Sequence, residues 1–78
     1  MTIVLSTPDY VVEHEPRHRL LTIARRADGQ CLAFQGRRVA GQFRDCVRTH
    51  GSDYTLGRWI AWGRDAWTPL YKPGRAPL

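Results

Sequence analysis

The sequence predicts an α+β fold: a mainly antiparallel sheet of four or five strands with one amphipathic helix packed on one face, in the order β-β-β-α-β-β. Two turn signals and one helical repeat predict it. Asp28-Gly29 is typical of a β-hairpin, because a type I′ turn needs positive φ at both central residues. Residues 36–51 repeat apolar side chains at helical spacing. The stretch RWIAWGRDAWTPLY, residues 58–71, places a turn between two aromatic segments.

The chain has 78 residues, 42% of them hydrophobic and 24% charged, which is ordinary for one small globular domain. We expect residues 1–78 to form that domain and residues 72–78, which include two prolines and a glycine, to be a loose tail. No run approaches the roughly 18 apolar residues of a membrane-spanning helix. The first ten residues lack the basic and apolar regions of a signal peptide. The expectation is therefore a cytoplasmic protein without membrane contact.

The N-terminal part of the chain predicts strands. Pro8 and Pro16 bound a strand centred on residues 10–13, which is rich in β-branched and aromatic side chains. Residues 2–5 form another short strand. Residues 16–28 have a second interpretation as a helix, with the proline in its first turn and a glycine after its end. The sequence leaves both interpretations of residues 16–28 open.

The hairpin interpretation sorts the side chains by face. With Asp28 and Gly29 as a two-residue turn, Ile23 lies opposite Phe34. One face then carries the large apolar residues, together with Arg25: Leu21, Ile23, Leu32 and Phe34. The other face carries smaller or polar residues: Thr22, Ala24, Arg26, Cys31, Ala33 and Gln35. This separation supports the pairing, because a shift of one residue would move every side chain to the other face.

The central helix has one apolar face. Its members recur at positions i, i+4, i+7, i+8 and i+11: Val39, Phe43, Cys46, Val47 and His50. Gly51 is suited to follow the helix end. Gly41 costs about 1 kcal/mol relative to alanine inside a helix, and no Ser, Thr, Asp or Asn caps the start. Packing rather than intrinsic propensity is expected to hold this helix.

The C-terminal part of the chain predicts a second hairpin. A turn at Gly63–Ala66 places Trp62 opposite Trp67, and both side chains then face the helix as core residues. Trp59 points to the other face of the sheet and is expected to be exposed. Because a proline cannot donate a hydrogen bond to a strand partner, residues 68–71 should form an edge strand.

The charge distribution indicates a basic surface. The formal net charge is +5, and eleven of the twelve basic residues are arginines. Residues 1–15 carry three acidic and no basic side chains, whereas residues 16–78 carry twelve basic and four acidic ones. Arginine suits bidentate contact with phosphate or carboxylate. An arginine-rich composition and a basic helix face are also common without a binding role.

The candidate binding residues follow from this pattern. Arg37, Arg44 and Arg48 form a line along the helix, and Arg38 lies next to that line. Arg25 and Arg26 belong to the first hairpin, and Arg58 and Trp59 belong to the tryptophan region. Arginines in a line are able to track phosphates, and an exposed tryptophan is able to stack on a base or anchor a partner. Arg17, His18 and Arg19 extend the patch if the first hairpin lies beside the helix.

The sequence gives no indication of catalysis or of a cofactor. It has no nucleophile elbow, zinc-protease motif, Walker loop or dinucleotide fingerprint, and its carboxylates are scattered. Cys46 and His50 have the helical spacing of a metal-ligand pair, but the hairpin register directs Cys31 to the other side of the sheet. We expect no metal site and two reduced thiols.

Three functions are compatible with these features. The leading hypothesis is a non-enzymatic basic module that engages the phosphates of DNA or RNA without base-specific readout. The alternative is a protein inhibitor or adaptor that docks on an acidic surface of a nucleoprotein complex. Phages and mobile elements encode such small basic proteins, anti-CRISPR proteins among them. A third hypothesis is a subunit whose exposed sheet edge forms a homodimer or pairs with another chain.

Overall fold

A computed structural model describes residues 2–69, and the architecture within that range is an antiparallel sheet carrying two helices. The five strands are hydrogen-bonded in chain order: β1 (Thr2–Ser6), β2 (Tyr10–Glu15), β3 (Leu20–Arg25), β4 (Gln30–Gln35) and β5 (Thr68–Pro69). The helices α1 (Val39–His50) and α2 (Ser52–Gly63) both lie between β4 and β5 in the chain. The α+β class with a mainly antiparallel sheet is therefore confirmed. The predicted order and the single helix match only in part, because the described chain runs β-β-β-β-α-α-β with a second helix after the first.

Residues 16–28 are not a helix. Pro16–His18 make a single 3₁₀ turn, Arg19 takes a left-handed conformation with φ of 51°, and β3 follows. The four consecutive side chains at Leu20–Ile23 are all buried. Burial at consecutive positions suits a central strand, and β3 lies between β2 and β4. The strand interpretation is thus confirmed.

The β3–β4 hairpin keeps the predicted faces but not the predicted register. Ile23 pairs with Leu32 rather than with Phe34, and four residues, 26–29, connect the strands. Asp28 Oδ1 accepts the Gln30 N–H at 3.1 Å, and only Gly29 of this loop has positive φ, at 73°. A type I′ turn needs two such residues, so a longer loop replaces it. The shift is two positions, which leaves every side chain on its predicted face.

The core lies between the sheet and the two helices. α1 packs over β3, and α2 packs over β4. Eight buried side chains from strands β2 to β4 and the two helices form one cluster: Val12, Leu21, Ile23, Leu32, Val39, Phe43, Leu56 and Trp59. The predicted apolar face of α1 holds as far as Val47, since Val39 and Phe43 are buried and Val47 packs against the cluster. His50, predicted on the same face, is exposed.

The second hairpin is wrong, because residues 52–63 form α2. The backbone turns at Gly51, whose φ of 89° ends α1, and its carbonyl accepts both the N–H and the hydroxyl of Thr55. The side of α2 that faces the core is formed by residues at helical spacing: Leu56, Trp59, Ile60 and Gly63 recur at i, i+3, i+4 and i+7.

The helix reverses the roles expected for two tryptophans. Trp59, expected to be exposed, is 5% exposed, and Trp62, expected in the core, is 63% exposed. In a strand, Trp62 would share a face with Ile60, whereas in a helix Trp59 lies closer to that face. Trp67 is partly buried and packs against the core, as expected, although it does not lie across a hairpin from Trp62.

The two edges of the sheet differ. β5 is an edge strand as predicted, and it pairs Thr68 with Cys31 and Pro69 with Gln30. Residues 70 and 71, predicted to continue it, and the predicted tail at 72–78 lie outside the described residues. β1 forms the other edge, and its Ile3 side chain is 62% exposed. No helix between residues 2 and 69 has the length and apolar character needed to cross a membrane.

Two glycines of α2 provide a matched pair for testing how the helix packs. A methyl group at Gly57 would meet nothing within 4 Å, whereas one at Gly63 would lie 3.1–3.2 Å from Leu32 and Phe34. We expect Gly57→Ala to raise the free energy of unfolding by roughly 0.5–1 kcal/mol through helix propensity. Gly63→Ala should gain less or lose stability, because its methyl group crowds the β4 side chains. Urea unfolding of both variants measures the difference, and an unstabilised Gly57→Ala would contradict this packing of α2.

Candidate binding surface

Two of the predicted binding residues, Arg25 and Arg26, form hydrogen bonds within the chain. Arg25 donates from Nε to both carboxylate oxygens of Asp28, at 3.0 and 3.1 Å, and from Nη2 at 2.7 Å. Its guanidinium also lies 4.2 Å from the centre of the Trp67 ring. Arg26 donates to the Thr7 carbonyl and the Ser6 hydroxyl, both at 2.9 Å. These contacts tie the β3–β4 loop to neighbouring segments, so both arginines have partners within the chain.

The ion pair at Asp28 makes stability depend on pH. The hydrogen bond from Arg25, followed by that from the Gln30 N–H, lowers the pKa of Asp28 below its ordinary value near 4. A lowered carboxyl pKa gives a stability contribution that is present above about pH 4 and is lost as the pH falls through the folded-state pKa. We expect Asp28→Asn to melt below the wild type at pH 7, with a gap that closes towards pH 2. Thermal melts across this range test it, and a gap persisting at pH 2 would assign the loss to the turn rather than to the ion pair.

Four exposed arginines gather at the opposite end of the sheet. Arg17 and Arg19 lie in the β2–β3 loop, and Arg37 and Arg38 lie between β4 and α1. The Gly36 N–H donates to the Arg19 carbonyl at 3.0 Å, and Gln35 Nε2 donates to the His18 carbonyl at 3.1 Å. These bonds hold the two loops side by side. One acidic neighbour is present, because Glu15 accepts the backbone N–H of Arg17 at 3.0 Å.

The predicted line of arginines along the helix is shorter than expected. Arg37 and Arg38 precede the first residue of α1, so only Arg44 and Arg48 occupy that side of the helix. Arg48 is paired with Asp45 at 2.5 Å, and both side chains are exposed. Arg44 is exposed and forms no ion pair with another residue in the range 2–69. The same is true of the four loop arginines. We call these five unpaired residues the basic surface: Arg17, Arg19, Arg37, Arg38 and Arg44.

A groove runs between α1 and α2 on the side away from the sheet. It has a volume of about 400 Å³ and is open to solvent. Its α1 wall consists of Gln42, Cys46 and His50, spaced four residues apart, and its α2 wall includes Tyr54, Arg58 and Trp62 at the same spacing, with Trp59 at the base. The helices are antiparallel, since Phe43 contacts Trp59 and His50 contacts Tyr54. Trp62 therefore lies at the end of the groove nearest to Gln42 and the start of α1.

The groove is lined by planar side chains in contact with one another. The His50 and Tyr54 rings are 4.6 Å apart, and the Trp59 and Trp62 rings are 5.4 Å apart. The Arg58 guanidinium lies 5.6 Å from the centre of the Trp62 ring. None of the seven lining residues is acidic. The rings are suited to contact a flat group, and the Arg58 guanidinium is suited to contact an anionic one.

The exposed tryptophan of the groove is therefore Trp62 rather than Trp59. The expected pairing of an exposed tryptophan with Arg58 occurs, but the ring is that of Trp62, three residues after the expected Trp59. Sequence reasoning missed Trp62 as a surface residue because it assigned residues 58–62 to a strand, and it missed His50 because it placed that residue on the apolar face of the central helix. It made no prediction for Tyr54. The signal that finds them is the i, i+4 spacing of Tyr54, Arg58 and Trp62.

The two cysteines are free thiols on opposite sides of the sheet. Cys31 is buried on the helix-free face, because Leu32 beside it points into the core between sheet and helices. Cys46 is half-buried in the groove wall. Between residues 2 and 69, no three His, Cys, Asp or Glu side chains lie close enough to hold a metal ion.

Comparisons with known proteins give no relative for this chain. No protein-family model matches it, and neither curated proteins nor solved structures show significant similarity to it. The functional assignment therefore depends on the basic surface and the groove.

Proposed function

We propose that this chain is a non-enzymatic basic module that engages nucleic-acid phosphates through the basic surface. The observation that carries the proposal is the basic surface, whose five exposed arginines form no ion pair within residues 2–69. Each guanidinium is able to make two parallel hydrogen bonds to a phosphate. Four of the five come from two loops joined by hydrogen bonds, so they offer positive charge at one place without the entropy cost of gathering it.

We expect Arg48, Arg25 and Arg26 to contribute less to phosphate binding than the five arginines of the basic surface. Each already satisfies its charge or its donors within the chain. A phosphate would have to compete with Asp45 or Asp28 for two of them. No residue is assigned to base-specific readout, since recognition of base edges needs side chains in a defined groove geometry. We further propose a cytoplasmic location, which agrees with two free thiols.

Arg44 and Arg48 offer a matched test on one helix. Both are exposed, they are one turn apart on the same side of α1, and only Arg48 has an acidic partner. Five phosphate contacts would give a slope of about −4.5 in log K against log salt for duplex DNA. We expect Arg44→Gln to reduce the slope by about 0.9 and Arg48→Gln to reduce it by much less, because Asp45 already neutralises Arg48. Fluorescence anisotropy of labelled oligonucleotides between 50 mM and 300 mM salt measures both. Equal effects of the two variants would contradict the assignment of Arg44, and no binding at 50 mM salt would reject the function.

A protein target is the second candidate, and the groove favours it. Tryptophan, tyrosine and arginine are the residue types that most often dominate binding energy at protein interfaces, and Trp62, Tyr54 and Arg58 line one groove wall. In this alternative the protein is an inhibitor or adaptor, of the kind that phages and mobile elements encode, on an acidic surface of a nucleoprotein complex. Affinity capture with and without nuclease separates the two functions. Partners that persist after nuclease treatment favour the protein target, and partners that vanish favour nucleic acid.

A further inference from the structure

We propose that the groove between α1 and α2 holds unpaired bases, so that the ligand is a single-stranded nucleic acid whose phosphates lie on the basic surface. This inference rests on the proposed function and adds the class of ligand. Its starting observation is an aromatic wall that is open to solvent. Trp62 is 63% exposed and Tyr54 is 48% exposed, and these are the two largest exposed aromatic side chains of residues 2–69.

The spacing of the planar groups suits bases that are separated from one another. Tyr54, Arg58 and Trp62 are four residues apart on α2, which places successive side chains about 6 Å apart along the helix. That distance is nearly twice the 3.4 Å rise per nucleotide of a strand in duplex DNA. A stretched single strand is therefore able to set one base against one side chain. Rings stack on any base, so this contact tolerates different sequences.

The charges around the groove favour an anionic ligand. Arg58 lies within the α2 wall, and no carboxylate lines the groove. Arg38 precedes Gln42 by four residues, so it extends the α1 wall at the end where Trp62 lies. The basic surface thus begins where the aromatic wall ends. A strand that leaves the groove beside Trp62 meets arginines within about one helical turn.

A duplex is not able to stack its bases on the rings of the groove. Bases inside a duplex are stacked on their neighbours and present only their edges in the grooves. The flat faces that would contact Trp62 and Tyr54 are available only in single strands, loops or ends. Duplex DNA is left with the phosphate contacts alone, which gives the two ligands different sensitivities to substitution.

The test compares variants of Trp62 on single-stranded and duplex oligonucleotides of equal length. We expect Trp62→Ala to weaken single-strand binding by roughly 5- to 150-fold with an unchanged salt slope, and to change duplex binding by less than about twofold. Trp62→Phe should restore most of the single-strand affinity because it keeps a ring. Arg58→Lys, which keeps the charge but not the planar group, should lose part of the single-strand affinity. Melting curves serve as the folding control, and DNA and RNA strands are tested separately.

Failure of this inference can be told apart from failure of the proposed function. If the wild type binds oligonucleotides with the expected salt slope but Trp62→Ala binds both forms normally, the phosphate-binding function stands and the base-stacking groove is overturned. If the wild type binds no oligonucleotide at 50 mM salt, both fail. A third outcome is that Trp62→Ala abolishes capture of a protein that is still captured after nuclease treatment, while oligonucleotide binding is unchanged. The groove then binds a protein partner, and the inference is overturned.

Discussion

Trp59→Ala is expected to remove about 3–5 kcal/mol of the free energy of unfolding, whereas Trp62→Ala should remove less than about 1 kcal/mol. Trp59 is 5% exposed and packs edge-on against Phe34 and Phe43, with ring centres 5.1 and 5.3 Å away. Small domains have total stabilities near the lower end of about 5–15 kcal/mol. Loss of Trp59 therefore removes most of this stability, and at the upper end of the range about half of the molecules are unfolded at room temperature.

Far-UV circular dichroism in urea measures both variants without depending on tryptophan emission. Acrylamide quenching of chains that keep a single tryptophan gives a second measurement, and a neutral quencher avoids attraction to the basic surface. Trp62 should be the most accessible of the three rings, and Trp59 the least. Equal destabilisation by the two alanine substitutions would contradict the assignment of Trp59 to the core.

Local patterns predicted the faces of the first hairpin, although they left a helix open at residues 16–28 and gave a register two positions from the observed one. Leu21, Ile23 and Leu32 fall on one face in any register that keeps the alternation, and all three are buried there. The turn itself was less well determined. The bonds that Asp28 makes to Arg25 and to the Gln30 N–H stabilise a longer loop, and side-chain contacts of this kind are not visible in a pattern of apolar residues.

Residues 56–63 show why the second half of the chain was mistaken. Ile60 and Trp62 fit the alternation of a strand, while Trp59 and Ile60 fit a helix, and the short stretch satisfies both periods. Tertiary packing decided between them. Gly51 allows a second helix to begin one residue after the first, and Gly63 lets its last turn approach Leu32 closely. The exposed and buried tryptophans exchanged places as a direct consequence.

The candidate site was predictable in composition but not in its arrangement. Arg37, Arg38 and Arg44 are individually visible as a basic segment. That Arg17 and Arg19 join them depends on the hydrogen bond between Gly36 and Arg19, which connects residues far apart in the chain. Conversely, nothing in the sequence separates Arg25 and Arg26, which have intramolecular partners, from the arginines that remain unpaired. The charge count predicts a basic protein. Which arginines are exposed, unpaired and close together depends on the fold.

Replacing the four loop arginines together should give the largest change in nucleic-acid binding. Each phosphate contact contributes about 0.9 log units of affinity to duplex DNA for each tenfold decrease in salt. If Arg17, Arg19, Arg37 and Arg38 each contact a phosphate, their combined replacement by glutamine should weaken binding roughly 4 × 10³-fold at 0.1 M salt. The same estimate gives only about a tenfold loss at 0.5 M salt. Glutamine keeps a long polar side chain, so the change isolates the charge.

A matched variant with lysine at the same four positions separates charge from geometry. Counterion release depends on charge, so the lysine variant should keep the wild-type salt slope, while the glutamine variant should lose about 3.6 from it. Some affinity is still expected to be lost in the lysine variant, because an ammonium group does not form the paired hydrogen bonds of a guanidinium. Melting temperatures of both variants should stay near that of the wild type, since all four side chains are exposed and form no ion pair with a residue in the range 2–69. A glutamine variant that keeps the full slope would place the phosphate contacts elsewhere on the molecule.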